Sequence, residues 1–528
     1  MFQFKAQEKY LFLAVSFCTF TIWASFFHQY PIMEMGGDFW EHAAALNTWM
    51  KDIVNPMSPH VASYESSARF MPYYFIIAMI GSVLGLTSIQ AMGLAASISV
   101  ILLVFGVSYF SRTYFKDDRA PLYTLIILLC GWGLSWNWSN AYQLRNIITI
   151  AGYPSFFVFS FSFFIYGYIA KNISFIGDKK AKALPIITIA IAIAFTSHPL
   201  TGIFTLFFSG LLGLFYGDTS TKNRFYVVVA ILIGSFLVEL WPYFSTWSLI
   251  LGQTPDQSVS WITSGSVEVS NSSQVVRWKQ LVWGHPFYSP IQVFLTLIPV
   301  ILGLVLCLFF RPKKIRIELL LAFSLMAFIY FFNMIFKIPL GHRALLLGMF
   351  PLHLALVSWL LKISGEPDRK PYVRNFVSFY LSVLLTFNVY LVVIELNGTK
   401  ILPTMKFKDY PFNQSNSIPV KLKPITDLLD NNSVIMTDYL LGWALPAIKG
   451  KIVSGMHTNP LIHDRSQRRR DVKTFFNNKT SLEEKDKILQ TYHVTHILFR
   501  IDNEDSNIRK FKGKYIEIGE FILVTLKN

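Results

Sequence analysis

Asp38, Glu41 and His42 fall within five residues, in the stretch MGGDFWEH at 35–42, directly after the first apolar run of the chain. A carboxylate can take the proton of an attacking hydroxyl. A neighbouring carboxylate and imidazole could support that base, contact a donor, or supply oxygen and nitrogen ligands to a metal. Ionisable groups at a membrane edge point to function by default. A structural reading competes with this one. Gly36 and Gly37 free the backbone, Asp38 serves as N-cap or first-turn residue of a helix over DFWEHAAALNTWM, and Glu41 takes the capping-box position. Trp40 and Trp49 then act as interfacial anchors. Capping explains Asp38 and Glu41 without chemistry and leaves His42 unexplained.

The elements that position these residues follow from composition. Of 528 residues, 53% are hydrophobic and 15% charged, and mean hydropathy is +0.43. Soluble proteins carry about 25% charged residues, so this is a polytopic membrane protein with some soluble mass. The net charge of +16 does not indicate nucleic acid. The basic residues cluster in short loops between apolar runs or in the C-terminal tail, which fits topology and anionic lipid. Cys18, Cys130 and Cys307 all lie in apolar runs and suggest neither a disulfide framework nor zinc. The run Tyr10 to Phe27 is too long for a cleavable signal and reads as a signal anchor.

Eleven transmembrane helices are expected, at about 10–28, 89–111, 121–138, 154–170, 183–198, 200–216, 225–243, 290–310, 317–336, 343–361 and 375–396. The stretch FMPYYFIIAMIGSVLGLTS, 70–88, is apolar enough to cross. If it stays out, with the N-terminus cytoplasmic, the inside loops hold 19 Lys and Arg and the outside segments before residue 397 hold seven. The positive-inside rule selects that arrangement. It makes 70–88 a juxtamembrane or re-entrant helix and places the GGDFWEH loop, the 244–289 loop and everything after 397 outside.

Apolar runs stop near 396. A polar linker, 397–430, leads into short β-type runs at 433–438, 451–455, 494–499 and 515–526, with helical patterns at 466–478 and 481–491. These predict a small extracytoplasmic α/β domain over 431–528. From 397 onward there are 21 Lys and Arg against 14 Asp and Glu. The run DRSQRRRDV, 464–472, is either a solvated helix face or a patch for lipid phosphates or a phosphorylated ligand.

An acidic residue just after the first span, in a large outer loop with juxtamembrane helices, resembles the GT-C superfamily of integral membrane glycosyltransferases, such as protein O-mannosyltransferases and aminoarabinose transferases. SSARFMPYYF (66–75) is similar to the segment returning that loop to the membrane. LGHRALLLGMFPLHLAL (340–356) resembles a late helix that begins with basic residues outside. The stretch 436–476 resembles the outer C-terminal domain of bacterial members. The resemblance implies an α-helical polytopic GT-C-like domain over 1–396, with its first outer loop at 29–88, in a bacterial plasma membrane. It implies transfer of a hexosyl or pentosyl group from a polyprenyl-phosphate donor to a hydroxyl of a glycan, lipid or protein acceptor, with Asp38 as general base and Glu41 and His42 in support.

The leaving lipid phosphate needs cations. Outer-side candidates are Arg69, Arg145, Arg277, Lys279, His285 and the pair His342–Arg343, which could equally be an interfacial anchor. His198, in TSHPLTG, is a further candidate or a hydrogen-bonded turn histidine. Oligosaccharyltransferase-like members use a DxD-type pair with a divalent ion. Here the pattern is D-x-x-E-H, so Asp38, Glu41 and His42 either hold a metal or belong to a metal-independent mechanism. Two other classes stay open. A transporter or flippase would show internal repeats and ionisable residues deep in spans, and only Glu239 comes close. A lipid-linked glycan polymerase or ligase of another fold would use the 244–289 loop.

Overall fold

The computed structural model describes residues 6–27, 38–133, 140–175, 180–251, 301, 305, 317–336, 343–365, 371–396, 418–438, 441–455, 459–501 and 510–526. Gly36, Gly37, Arg277, Lys279, His285, His342, nearly all of the expected span 290–310 and most of the linker lie outside the described residues. The chain divides into two compact units. The first comprises 1–25, 96–240 and 269–411, and the second 26–95, 241–268 and 412–528.

The first unit is helical. Its apolar runs form helices because a segment in hydrocarbon must satisfy its own backbone hydrogen bonds. Among the described residues four helices are long and apolar enough to cross a membrane: Ser88–Phe115, Thr221–Leu240, Ala344–Gly365 and Pro371–Ile394. Shorter apolar helices include Ala120–Cys130, Lys182–Ser197, Pro199–Phe215 and Ile317–Phe332. Phe350 on Ala344–Gly365 is the centre of an aromatic core. Phe163, Tyr166, Phe204 and Phe208 surround it at centroid distances of 5.2–5.9 Å. Small residues bring helices close elsewhere: a Cβ on Gly234 would lie 2.6 Å from the Thr188 carbonyl oxygen.

The second unit holds a five-stranded sheet, ordered β2-β1-β3-β5-β4. The strands are β1 Val434–Met436, β2 Lys451–Ile452, β3 His496–Arg500, β4 Gly513–Ile518 and β5 Phe521–Leu526. β1 pairs parallel with β2 and β3, while β5 pairs antiparallel with β3 and β4. The sequence reads 515–526 as one run, but the structure splits it into a hairpin. Gly519 takes φ +58°, a conformation that lets a two-residue turn follow β4 without steric cost. The helices Arg465–Phe475 and Leu482–Thr491 pack Val472, Phe475, Ile488 and Leu489 against Ile497 and Val524 of the sheet.

The same unit contains the first loop. The helix Pro72–Val83 has 12 residues, about 18 Å at 1.5 Å per residue. That is shorter than a hydrocarbon core of about 30 Å. β2 is an edge strand, and Ile452 N donates to the His60 carbonyl at 2.8 Å, so the first loop covers that edge. Lys451 Nζ donates to Thr48 Oγ1 at 2.9 Å and to the carbonyls of Ser58 at 2.7 Å and Pro59 at 3.0 Å. Burial lowers the Lys451 pKa to about 7, and the Lys51 charge adds to that effect. Asn47 Nδ2 donates to the Pro446 carbonyl at 2.8 Å.

Candidate active site

Asp38 stands at the N-cap position of the helix Phe39–Lys51. Asp38, Glu41 and His42 lie at i, i+3 and i+4, so one face of the first turn carries all three. The capping role expected of Asp38 is not used: its side chain makes no hydrogen bond to the amides of the first turn. Glu41 does not close a capping box either, since its Oε2 accepts a hydrogen bond from Arg69 Nη2.

Arg69 arrives from the tight turn SSARF. Its amide donates to Ser67 Oγ at 3.1 Å, and Phe70 N donates to the Ser67 carbonyl at 3.0 Å. Phe70 is fixed by stacking on Trp49, centroids 4.8 Å apart. Trp241 Nε1 also donates to the Phe70 carbonyl at 2.7 Å. The guanidinium is thereby held against the first turn of the helix. Arg69 Nη2 lies 3.7 Å from Asp38 Oδ1, and Nη1 lies 3.4 Å from His42 Nε2. A guanidinium only donates, so His42 Nε2 is the acceptor and the ring proton sits on Nδ1. The Tyr74 ring packs edge-on to His42, with centroids 5.2 Å apart.

Exposure separates the two acids. Glu41 and His42 are each 3% exposed, whereas the Asp38 side chain is 37% exposed and that of Arg69 27%. Burial works against the charge on Arg69, but the Glu41 and Asp38 carboxylates more than offset it and raise the Arg69 pKa above its ordinary value. Two carboxylates against one guanidinium leave a net negative charge, with Asp38 as the acid that solvent reaches. Such a carboxylate is suited to accept a proton or face a developing positive charge. The arrangement does not fit a divalent ion held by Asp38, Glu41 and His42 alone, because Arg69 sits among these side chains where such an ion would be.

The first unit places other candidates in a separate network. Arg343 Nη1 donates to Asn140 Oδ1 at 3.3 Å, and Asn140 Nδ2 donates to the Tyr142 hydroxyl oxygen at 3.3 Å. That hydroxyl donates to the Ser155 carbonyl at 3.1 Å and lies 3.0 Å from Thr201 Oγ1. Thr201 N donates to His198 Nδ1 at 3.2 Å, which makes His198 the N-cap of Pro199–Phe215. His198 is thus a hydrogen-bonded turn histidine. Arg145 is 4% exposed and belongs to the same unit. Asn140, Tyr142 and Thr201 escaped the sequence reading. Only Thr201, three residues after His198, carried a local signal, that of a cap.

No protein-family profile matches the sequence, and a search of curated proteins finds no match. Solved structures do match. The oligosaccharyltransferase of Archaeoglobus fulgidus in its apo form is similar over 96% of this chain and 73% of its own, at 10% identity and a TM-score of 0.51. The arabinofuranosyltransferase AftD from Mycobacteria is similar over 98% of this chain, at 12% identity and a TM-score of 0.50, and this chain spans 40% of it. ArnT from Cupriavidus metallidurans, solved bound to undecaprenyl phosphate, aligns over 98% of both chains at 12% identity and a TM-score of 0.49. The first two likenesses show the fold. It is the fold of that archaeal oligosaccharyltransferase and of AftD, and four of the described helices are long and apolar enough to cross a membrane.

Proposed function

We propose that the protein is a membrane glycosyltransferase that moves a hexosyl or pentosyl group from a polyprenyl-phosphate donor to an acceptor hydroxyl, with Asp38 as general base. The acceptor oxygen attacks the anomeric carbon, its proton passes to the Asp38 carboxylate, and the bond from the anomeric carbon to the phosphate oxygen breaks. The lipid phosphate leaves with the electron pair. Arg69, paired to the buried Glu41, positions Asp38, and His42 braces the guanidinium from its other edge. The acceptor is a glycan, lipid or protein hydroxyl. Arg343, Arg145, His342, Arg277, Lys279 and His285 are the proposed cations for the donor phosphate.

In this reading the N-terminus is cytoplasmic, the chain crosses a bacterial plasma membrane eleven times, and residues 29–88 and 431–528 face the outer side. The observation that supports it most is that Asp38 occupies a cap position without capping: its carboxylate is half-exposed and 3.7 Å from a guanidinium. The fold likeness to two glycosyltransferases points the same way.

The test is Asp38→Asn, assayed by transfer of labelled sugar from polyprenyl-phosphate donors in membranes carrying the protein. Transfer is expected to fall by about a hundredfold or more, the scale of general-base loss. Thermal stability should change by less than about 1 kcal/mol, because no cap hydrogen bond is lost. Near wild-type transfer by Asp38→Asn would remove Asp38 from the role.

A further inference from the structure

The helix Pro72–Val83 is apolar on both faces. Tyr73, Tyr74, Ile77, Ala78 and Gly81 are buried against the protein. Ile76, Met79, Ile80 and Val83, at i, i+3, i+4 and i+7, form the opposite face and are exposed, Val83 by 86%. A helix that is apolar all round is covered by protein or by lipid. Leu84, just past its end, is exposed too. Gly85 takes φ +63° in the turn that follows, and the helix Ser88–Phe115, long and apolar enough to cross a membrane, begins directly after it. The exposed face is thus continuous in the chain with a segment suited to a lipid surround.

Two lysines stand at this edge. Ser82 Oγ donates to the Met50 carbonyl at 3.3 Å, and a Cβ on Gly81 would lie 2.9 Å from Met50 Sδ. The exposed helix therefore ends beside the C-terminus of Phe39–Lys51, whose last residue, Lys51, is exposed. Lys449 directly follows the short helix Leu445–Ile448. That helix is held from two sides. Asn47 Nδ2 donates to the Pro446 carbonyl, and Ser88 Oγ, at the start of the long apolar helix, donates to the Ala447 carbonyl.

The two ammoniums are close enough to repel. Partial burial and the Lys449 charge lower the Lys51 pKa, and no carboxylate offsets them. Among the described residues neither ammonium has an anionic partner. The C-terminus of its own helix accounts for Lys51. It does not account for a second ammonium brought beside the first by a separate element. A pair of like charges on the border of an apolar face matches a surface whose interior is apolar and whose rim is negative.

We infer that this edge binds an anionic phospholipid, with the headgroup phosphate between Lys51 and Lys449 and the acyl chains along Ile76, Met79, Ile80 and Val83. The lipid ties the first loop to the bilayer. Asp38 lies at the other end of Phe39–Lys51, about 20 Å away at 1.5 Å per residue. The lipid site is therefore separate from the candidate active site and does not depend on the role given to Asp38.

Photolabelling tests the assignment. The full chain is placed in phosphatidylcholine nanodiscs with a trace of phosphatidylglycerol that carries a diazirine in its acyl chain, and labelled peptides are read by mass spectrometry. Label is expected within residues 76–84 and should fall as unlabelled phosphatidylglycerol replaces phosphatidylcholine. Lys51→Gln and Lys449→Gln should each reduce it about fivefold, the worth of one lysine at an anionic surface, and raised salt should reduce it as well. Lys51→Arg keeps the charge and should retain the label. Lys473→Gln, on the helix Arg465–Phe475, should leave it unchanged. Melting temperatures in plain phosphatidylcholine nanodiscs separate misfolding from lost lipid, and if one glutamine variant does not fold, the other carries the test. Absence of label at 76–84, equal labelling by a phosphatidylcholine probe, or undiminished label in the folded glutamine variants would overturn the proposal.

Discussion

Arg69 stands between two carboxylates that it treats differently: Nη2 is hydrogen-bonded to the buried Glu41, and the same atom lies 3.7 Å from the half-exposed Asp38. One acid anchors the guanidinium and the other is held near it. If Arg69 is removed, the 3%-exposed Glu41 is left with no cation opposite. Arg69→Ala should therefore lose about 3–5 kcal/mol of stability, the cost of breaking one side of a buried pair. Arg69→Lys should lose less, since charge remains and the fork is lost. Thermal melting of the variants, with Glu41→Gln added to Arg69→Ala, gives the coupling. The double variant should be more stable than Arg69→Ala alone, and equal melting would show that the pair is not coupled.

Arg343 shares its network with Asn140 and Tyr142, which keeps the guanidinium in one orientation. If it meets the donor phosphate, Arg343→Ala should weaken donor binding by about tenfold or more and Arg343→Lys should restore it only in part. Donor affinity is measured on purified variants beside their melting temperatures. A less stable Arg343→Ala with unchanged donor affinity would make the residue an anchor.

Glu65 and His463 form a pH-sensitive clasp. His463 N donates to Glu65 Oε1 at 3.0 Å, and the ring nitrogen Nδ1 meets the same oxygen. That hydrogen bond and the Glu65 charge raise the His463 pKa above its ordinary 6.5. Burial pushes Glu65 up, but hydrogen bonds from His463 and Ser63 outweigh it and bring its pKa below the ordinary 4.5. The histidine's contribution to stability is complete below about 6.5 and fades as pH rises through its higher folded value. That of the glutamate is complete above about 4.5 and fades as pH falls through its lower one. The melting-temperature difference between wild type and His463→Ala should thus be largest between about pH 4.5 and 6.5. A difference that is flat from pH 5 to 9 would exclude the ionic clasp.

Topology turns on one short helix. Because Pro72–Val83 spans 12 residues, a reporter fused after Arg119 should behave as cytoplasmic. A reporter at the same position that acts only outside the cytoplasm would mean that the segment crosses and that every later loop inverts.

The long apolar helices were legible in sequence because a membrane span must satisfy its backbone alone, and that requirement writes an uninterrupted apolar run. The strands at 434–436 and 496–500 and the helices at 465–475 and 482–491 were legible for a similar reason, since local periodicity reports a local element. The shared face of Asp38, Glu41 and His42 also follows from spacing. That Asp38 leaves its cap unused does not, because the competing partner of Glu41 is Arg69, 28 residues away and reached through a turn held by Trp49 and Trp241. Composition drew a boundary near 396, yet in the structure the first loop shares a compact unit with residues 412–528, joined by Lys451 to Thr48 and by Ile452 to His60. The chain from Arg343 through Asn140 and Tyr142 to Thr201 likewise joins residues from distant segments. Such partners leave no periodic mark in the chain, since hydrogen bonds and ion pairs act across space, and only the tertiary fold sets which polar groups come within about 3 Å of one another.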